Sequence, residues 1–380
     1  MYNTCMDELA KRIEAFIQGT PSTDSFEELA LALFRRQYDL VEPYRMLCNS
    51  LAVTPVFCDD WTQIPLAPAA AFKRYQLSCV PLSRARSVYY SSGTTGAETS
   101  KHYMDDDALA LYRTSLQLGF VSAIPEVVGK RIWALMPSRL QMPNSSLSAM
   151  LDMLGAEHFY WEADANLLDD LAELREPIVL FGTAFAFVQL FDLLPEPLTL
   201  PAGTVIVETG GFKGRTRSVR RSDLYAWFTE KLGVSPTHCY SEYGMSEMAS
   251  QFYSHGVADI KRGPHWVRTR IIDPLTGKDV APGDRGLLAH YDLANFNSVM
   301  AIQTEDAARF PVGGVTGEEG ADGAHGVVAE AEAAAATVAL PPVERRRFVR
   351  SFVLAGRATE ADLRGCSLIV EDQWTKRADA

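Results

Sequence analysis

Tyr90-Ser91-Ser92-Gly93-Thr94-Thr95-Gly96 is the stretch on which the reading of this chain turns. Ser87 to Tyr90 has the texture of a short strand, and it runs straight into this Ser/Thr/Gly loop. A loop of this kind presents hydroxyls and free backbone N–H groups to an anion, and glycine lets a phosphate come close to the backbone. It is not a Walker loop, because G-x-x-x-x-G-K-[ST] is absent, and no G-x-G-x-x-G occurs. A plain Ser/Thr-rich turn would look the same in isolation, so the surrounding sequence has to decide.

Downstream, strands and helices alternate. Asp105 to Leu118 reads as a helix, Arg131 to Met136 as a buried strand and Ser145 to Leu154 as a helix. Ile178 to Gly182 is a strand followed by a helix from Ala184 to Leu194. Thr204 to Glu208 is a strand ending at Gly210-Gly211, Ser222 to Leu232 a helix and Thr237 to Tyr240 a strand. That rhythm predicts an α/β fold with a largely parallel sheet. Upstream, the chain to about Leu82 reads as helical, with Ser25 and Glu28 forming a capping-box pattern ahead of Leu29, Leu31, Leu33 and Phe34. Pro55, Pro65, Pro68 and Pro81 mark an irregular approach to the first strand. After Ala258, Val267 to Ile272, Pro274-Leu275-Thr276-Gly277 and Gly286 to Tyr291 suggest strands and turns. Pro311 to Leu340 is rich in Gly, Ala and Glu and reads as an insertion or linker. Order returns at Arg347 to Leu354 and continues to Val370. There is no internal repeat.

Length and composition bound the function. The chain has 380 residues, enough for about two domains. Hydrophobic residues make up 47%, too many for a disordered chain. Acidic residues outnumber basic ones 48 to 36, for a net charge of −12, which argues against nucleic acid or an anionic membrane as the main partner. No integral membrane segment is visible: Gly182, Thr183, Gln189 and Asp192 interrupt the most apolar window, Pro177 to Leu194. Asp7 and Glu8 stand where a signal peptide would be apolar, so the expected location is cytoplasmic. Cys5, Cys48, Cys58, Cys79, Cys239 and Cys366 include no C-x-x-C pair, and neither a disulfide framework nor structural zinc is expected. None of the seven histidines shows metal-ligand spacing, and none is assigned to catalysis.

The phosphate-type loop belongs to an ordered set. Tyr243-Gly244-Met245-Ser246-Glu247 follows a strand, then Thr304-Glu305-Asp306, Gly356-Arg357 and Arg364-Gly365. The set resembles the adenylate-forming superfamily of acyl- and aryl-CoA ligases, adenylation domains and luciferases. The longer context is similar to one branch, the acyl-protein synthetase (LuxE) family. Ala30 to Phe34, Pro68 to Lys73, Glu208-Thr209-Gly210-Gly211-Phe212, Asp292-Leu293-Ala294-Asn295 and Arg364-Gly365-Cys366-Ser367 carry that likeness. It implies an α/β adenylate-forming large-domain fold, with stacked αβαβα sheets plus a small β-rich subdomain, and a truncated C-terminal domain. The expected organisation is a helical N-terminal region over 1–86, an adenylating core over 87–310, a Gly/Ala-rich insertion over 311–345 and a hinge remnant over 346–380.

The resemblance also implies the chemistry. A carboxylic acid, by this likeness a fatty acid, attacks the α-phosphorus of ATP to give an acyl-adenylate and pyrophosphate. Two anions must meet, so such a site needs charge neutralisation and alignment. Ser91, Ser92, Gly93, Thr94, Thr95 and Gly96 would hold the β- and γ-phosphates. Tyr243, beside Gly244, would lie against adenine, Ser246 would contact the α-phosphate, and Glu247 would ligate Mg²⁺. Gly210 and Gly211 would bring backbone close to the adenine and acyl sites, Asp306 would accept from the ribose hydroxyls, and Arg357 would contact ribose or phosphate. Without the resemblance, Glu247 could be a surface acid and Asp306 the cap of a helix starting at Ala307.

The chain departs from the superfamily pattern in three places. Lys101 is displaced from the loop, Glu305 replaces the glycine of T-G-D, and the stretch after Cys366 is too short for a domain. In this branch a cysteine near the C-terminus accepts the acyl group as a thioester, and Cys366 fits that role. The acceptor beyond it would be an acyl reductase or a carrier protein. Two other readings stand beside this one: an acyl-CoA or acyl-carrier-protein ligase with Cys366 structural, and a non-catalytic nucleotide-binding subunit. Phe181, Phe185, Phe187 and Phe191 could wall an acyl pocket or form plain core. Arg215, Arg217, Arg220 and Arg221 could dock an acidic carrier or form a solvated face.

Overall fold

The computed structural model describes residues 6–21, 23–91, 99–161, 164–210, 219–311 and 351–358. The chain opens with helices α1 (Glu8–Gln18), α2 (Phe26–Leu40) and α3 (Glu42–Ser50), then strand β1 (Ala67–Pro68) and the short helix α4 (Ala71–Arg74). A hairpin of β2 (Ser87–Tyr90) and β3 (Lys101–Met104) leads into helix α5 (Asp106–Ala123). The alternation then runs β4 (Ile132–Leu135), α6 (Ser146–Met153), β5 (Ala156–Phe159), α7 (Ala165–Glu173), β6 (Val179–Thr183), α8 (Ala184–Leu193), β7 (Val205–Thr209), α9 (Arg221–Leu232) and β8 (Cys239–Tyr243). Five strands follow: β9 (Phe252–His255), β10 (Ile260–Lys261), β11 (Val267–Ile272), β12 (Gly286–Asp292), β13 (Ala301–Arg309) and, after the undescribed stretch, β14 (Phe352–Arg357) makes the sixth.

Local chemistry sets the helix starts. Ser25 and Glu28 form the capping box read from sequence. Asp105, Ser145, Asp164 and Thr183 each accept a hydrogen bond from the first turn of the helix that follows, satisfying a donor the helix itself cannot.

The main sheet has the order β5-β4-β6-β7-β8-β9, with the first five strands parallel and β9 antiparallel at the edge. Its buried side chains alternate between two cores. Ala134, Val179, Phe181, Val205 and Val207 face one core with residues of α1, α2, α5 and α6. Trp133, Leu135, Leu180 and Ile206 face the other with α7, α8 and α9. This period-2 division explains why the strands read as continuous apolar runs. The second sheet, β10-β14-β13-β12-β11, is antiparallel, with β1 added parallel to β13.

The chain leaves β4 for β5 on one side and returns to β6 on the other, so the strand order reverses at β4. In open α/β sheets the ligand crevice lies at the carboxyl ends of strands at such a reversal. β7 and β8 end at this side of the sheet, and the Tyr243 motif follows β8 there. β3, β5 and α7 were not foreseen, nor were β1, α4, β9, β10 and β13. β3 and β5 are only four residues long, β5 is a partly exposed edge strand, and α7 is partly polar. β8 starts two residues later than predicted, because Pro236 initiates a single tight turn over Pro236–His238.

Candidate active site

The β2–β3 hairpin stands over the start of α6. Tyr90 N–H donates to the Asn144 carbonyl at 2.9 Å. The neck of the loop is closed by two bonds: Ser91 N–H to the Ser100 carbonyl at 3.2 Å, and Ser100 N–H to Ser91 Oγ at 3.0 Å. Ser246 reaches this neck from the other side. Its Oγ donates to the Tyr90 carbonyl at 3.3 Å and lies 3.2 Å from Ser146 Oγ at the first turn of α6.

His102 on β3 ties the same two segments together. Its Nδ1 lies 2.7 Å from the Ser246 carbonyl, which can only accept, so Nδ1 carries the hydrogen. The ring is buried, and burial pushes its pKa down to about 4, so it is neutral near pH 7. No histidine spacing signalled this role. The only trace in sequence is a polar residue in a short apolar strand.

The Tyr243 motif sits at the carboxyl end of β8. A Cβ at Gly244 would stand 2.6 Å from Glu242 Oε1, so any larger residue there would have to displace that buried carboxyl. Gly210, just beyond β7, has φ +68°, a left-handed conformation that favours glycine. Glu247 is buried rather than a surface acid. Burial raises its pKa, and Glu305 adds to the rise, while Ser100 and Lys73 oppose it. The turn after Glu247 is pinned by the Asp292-Leu293-Ala294-Asn295 stretch. Asp292 accepts from Ala249 N–H at 3.0 Å and from Ser250 Oγ at 2.7 Å, and Asn295 Nδ2 donates to the Glu247 carbonyl at 2.8 Å.

Asp306 lies within β13, not at the cap of a helix, because β13 continues to Arg309. It is paired in register with Arg357 on β14. Tyr243 Oη donates to Asp306 Oδ2 at 2.9 Å, and Arg357 Nε approaches Asp306 Oδ1 at 3.2 Å. Arg357 Nη1 also reaches Glu305 Oε2 at 3.1 Å, and Lys73 Nζ lies 4.0 Å from Glu305 Oε1. Tyr243, Ser246, Glu247, Asp306 and Arg357, spread over more than 100 residues of sequence, thus meet at one edge together with Ser91.

A divalent cation fits this edge. Glu247 offers a hard, buried oxygen donor, on which Lys73 acts only weakly. Among the described residues no group of three or more His, Cys, Asp or Glu forms a metal cage.

Other candidates fall away from this edge. Arg221 is neither a carrier dock nor a solvated arginine: it bonds Glu208 at 2.9 Å, and its side chain is mostly buried. Phe187 and Phe191 pack against Phe228 between α8 and α9, so they are core, and Phe181 packs on Phe120 across the opposite face. Cys48, Cys58, Cys79 and Cys239 are buried, and burial pushes the Cys48, Cys79 and Cys239 thiols up to about 12, which makes them poor nucleophiles. Ser92, Gly93, Thr94, Thr95, Gly96, Gly211, Arg215, Arg217, Cys366 and most of the Gly/Ala-rich stretch lie outside the described residues. No described helix is long and apolar enough to cross a membrane.

No protein-family model matches the chain. It is 24% identical over 336 residues to a long-chain-fatty-acid–luciferin-component ligase of Vibrio harveyi, covering 81% of this chain and 85% of that protein. It is 25% identical over 314 residues to the ligase of the same name from Aliivibrio fischeri, covering 75% and 81%. Among solved structures, 2-hydroxyisobutyryl-CoA ligase with 2-HIB-AMP and CoA in the thioesterification state aligns with a TM-score of 0.56 at 14% identity, over 77% of this chain and 65% of that one. Its open conformation aligns at 0.54 and 13%, over 76% and 69%. At that identity the structures establish the fold alone. The fold is thus that of the solved acyl-CoA ligase, and by sequence the chain is similar to the two long-chain-fatty-acid–luciferin-component ligases.

Proposed function

We propose that the chain activates a carboxylic acid, a long-chain fatty acid, with ATP and transfers the acyl group to a thiol, its own Cys366, for delivery to an acyl reductase or carrier protein. The observation that carries this reading is the meeting of the hairpin neck, the Tyr243–Glu247 motif and the Asp306–Arg357 pair at the carboxyl edge of the main sheet. The acid class is supported by the names of the two sequence relatives.

In the first step a carboxylate oxygen bonds to the α-phosphorus, the bond from that phosphorus to the bridging oxygen breaks, and the electron pair leaves with pyrophosphate. No proton moves, so the protein's task is to align two anions and offset their charge. The loop from Ser91 to Gly96 would receive the β- and γ-phosphates, since its neck is fixed and hydroxyls crowd it. Ser246 would meet the α-phosphate, held there by Tyr90, Ser146 and His102. Asp306 would accept from the ribose hydroxyls, oriented by Tyr243 and Arg357. Gly210 and Gly211 would border the adenine and acyl sites. Mg²⁺, held by Glu247, would supply charge neutralisation to the phosphates. In the second step the Cys366 thiolate attacks the acyl carbonyl carbon, and AMP leaves with the electron pair of the carbon–oxygen bond.

Incubation with ATP, Mg²⁺ and a labelled long-chain fatty acid should leave hydroxylamine-labile label on the wild-type protein. Cys366→Ala should lose it while still exchanging pyrophosphate into ATP. Full labelling of Cys366→Ala removes Cys366 as acceptor, and stoichiometric thioester on added CoA with no labelled protein favours the acyl-CoA ligase reading.

A further inference from the structure

Lys73 has no assigned part in the reaction above, yet it stands where three site segments converge. It lies on α4, which follows directly from β1. β1 is paired with β13, with Pro68 opposite Gln303, and Ala69 N–H donates to the Gln303 carbonyl at 2.9 Å. α4 is therefore anchored two residues from Glu305. The preceding residue, Phe72, is buried with its ring 6.3 Å from that of His102, the residue that bonds Ser246. Lys73 itself points toward Glu305, with Nζ 4.0 Å from Oε1, and its charge also acts on buried Glu247.

That ion pair has little structural purpose. A 4.0 Å contact in which the lysine is 40% exposed contributes little to stability. Glu305 already has a closer cation, Arg357 at 3.1 Å on its other oxygen. Among the described residues, Glu247, Glu305 and Asp306 are the carboxylates at the junction, and Lys73 and Arg357 are the cations paired with Glu305 and Asp306. Of the two, Arg357 is held by two carboxylates, whereas Lys73 is held by one loose contact on a flexible four-carbon stem. It is the cation on this edge most able to move to an arriving anion.

We infer that Lys73 is a catalytic residue of the adenylation step, leaving Glu305 to meet the α-phosphate oxygens as the acid carboxylate bonds to phosphorus. This rests on the adenylating function proposed above. The contact tightens while pyrophosphate departs, so it serves the transition state more than the bound nucleotide, and its loss falls on kcat rather than on KM. The ammonium stays protonated throughout, and no proton is exchanged.

The test uses the full chain as wild type, Lys73→Gln and Lys73→Arg. Each is assayed for exchange of labelled pyrophosphate into ATP with Mg²⁺ and the fatty acid on which the wild type is fastest. Thermal unfolding of each variant is recorded alongside. The expected result is an approximately 100-fold or greater fall in kcat for Lys73→Gln, a KM for ATP within about threefold of wild type, an unchanged Tm, and partial recovery in Lys73→Arg. Wild-type exchange with Lys73→Gln retaining more than about a third of the rate overturns the inference and leaves the proposed function standing. A loss confined to KM for ATP also overturns it, since Lys73 would then only hold bound nucleotide. Absence of exchange by the wild type with every acid overturns both.

Discussion

Two clusters of charge lie beside β8, one reaching Ser241 and the other Tyr243, and they differ in pairing. Glu208, Arg221, Asp259 and Lys261 form a closely paired set, with buried Glu242 beside them. Arg221 bonds Glu208 at 2.9 Å, Lys261 lies 3.1 Å from Asp259, and Lys261 Nζ also donates to the Ser241 hydroxyl at 2.6 Å. Burial works to raise the Asp259 carboxyl, but Lys261 and Arg221 hold it below the usual range. In the second cluster, Glu247, Glu305, Asp306, Lys73 and Arg357, burial raises Glu247 as it raises Glu208, but Glu208 has Arg221 at 2.9 Å whereas Lys73 acts on Glu247 only weakly. A closed cluster has nothing left to offer a ligand. An open one holds a buried carboxylate that a cation would stabilise, with polar groups already aimed at its edge. Electrostatic closure therefore separates scaffold from site in this molecule, where both contain buried ions.

The widest gap between the clusters should appear on removing their central charges. Glu247→Gln should lower acid-dependent pyrophosphate exchange about 100-fold or more, the scale of losing one preorganised electrostatic contact. Its stability should not fall. A carboxyl whose folded pKa is raised loses stability as pH rises through that value, so glutamine should make the protein more heat-resistant at pH 8 and leave it unchanged at pH 4. Calorimetry at the two pH values checks this. A destabilised variant at pH 8 would put Glu247 in the scaffold.

Lys261→Met should do the reverse. Breaking a buried pair by removing one partner costs about 3–5 kcal/mol, so denaturant unfolding should shift strongly while exchange per folded molecule stays within a few-fold. Loss of exchange without loss of stability would erase the distinction between the clusters.

Asp306→Ala should weaken ATP binding about tenfold to a hundredfold, the worth of hydrogen bonds to a charged group, read by titration calorimetry. Unchanged ATP affinity would remove Asp306 from the nucleotide site. The smallest effect concerns the bridge between hairpin and motif. His102 has its pKa lowered by burial to about 4, so the stability it contributes is present above its ordinary value near 6.5 and lost as pH falls toward 4. His102→Asn should flatten that part of the stability–pH curve. A curve unaltered by the substitution would contradict a buried neutral His102.

Much of the fold was legible because its central strands are short continuous apolar runs and its helices begin at Ser, Thr or Asp caps. Val179 to Thr183 and Val205 to Thr209 announce themselves in this way. Lys101 to Met104 did not, since four residues leave no periodicity to measure, so a strand was missed where Lys101 had looked like a displaced loop lysine. The site's named residues were legible as motifs, but their mutual contacts were not. Nothing local joins Tyr243 to Asp306, which meet only because β8 and β13 belong to adjoining sheets. Lys73 and His102 were invisible as site residues for the same reason: their role comes from what β1 and β3 are paired with. Arg221 was misread because an arginine-rich stretch looks solvated, whereas α9 turns this one inward onto Glu208.

The most direct test of the open cluster as an adenylating site is exchange of labelled pyrophosphate into ATP by the wild-type protein, with and without a long-chain fatty acid and with and without Mg²⁺. Exchange that requires both is the result predicted here. ATP binding with no exchange for any acid in a broad panel would contradict it and leave a nucleotide-binding subunit in its place.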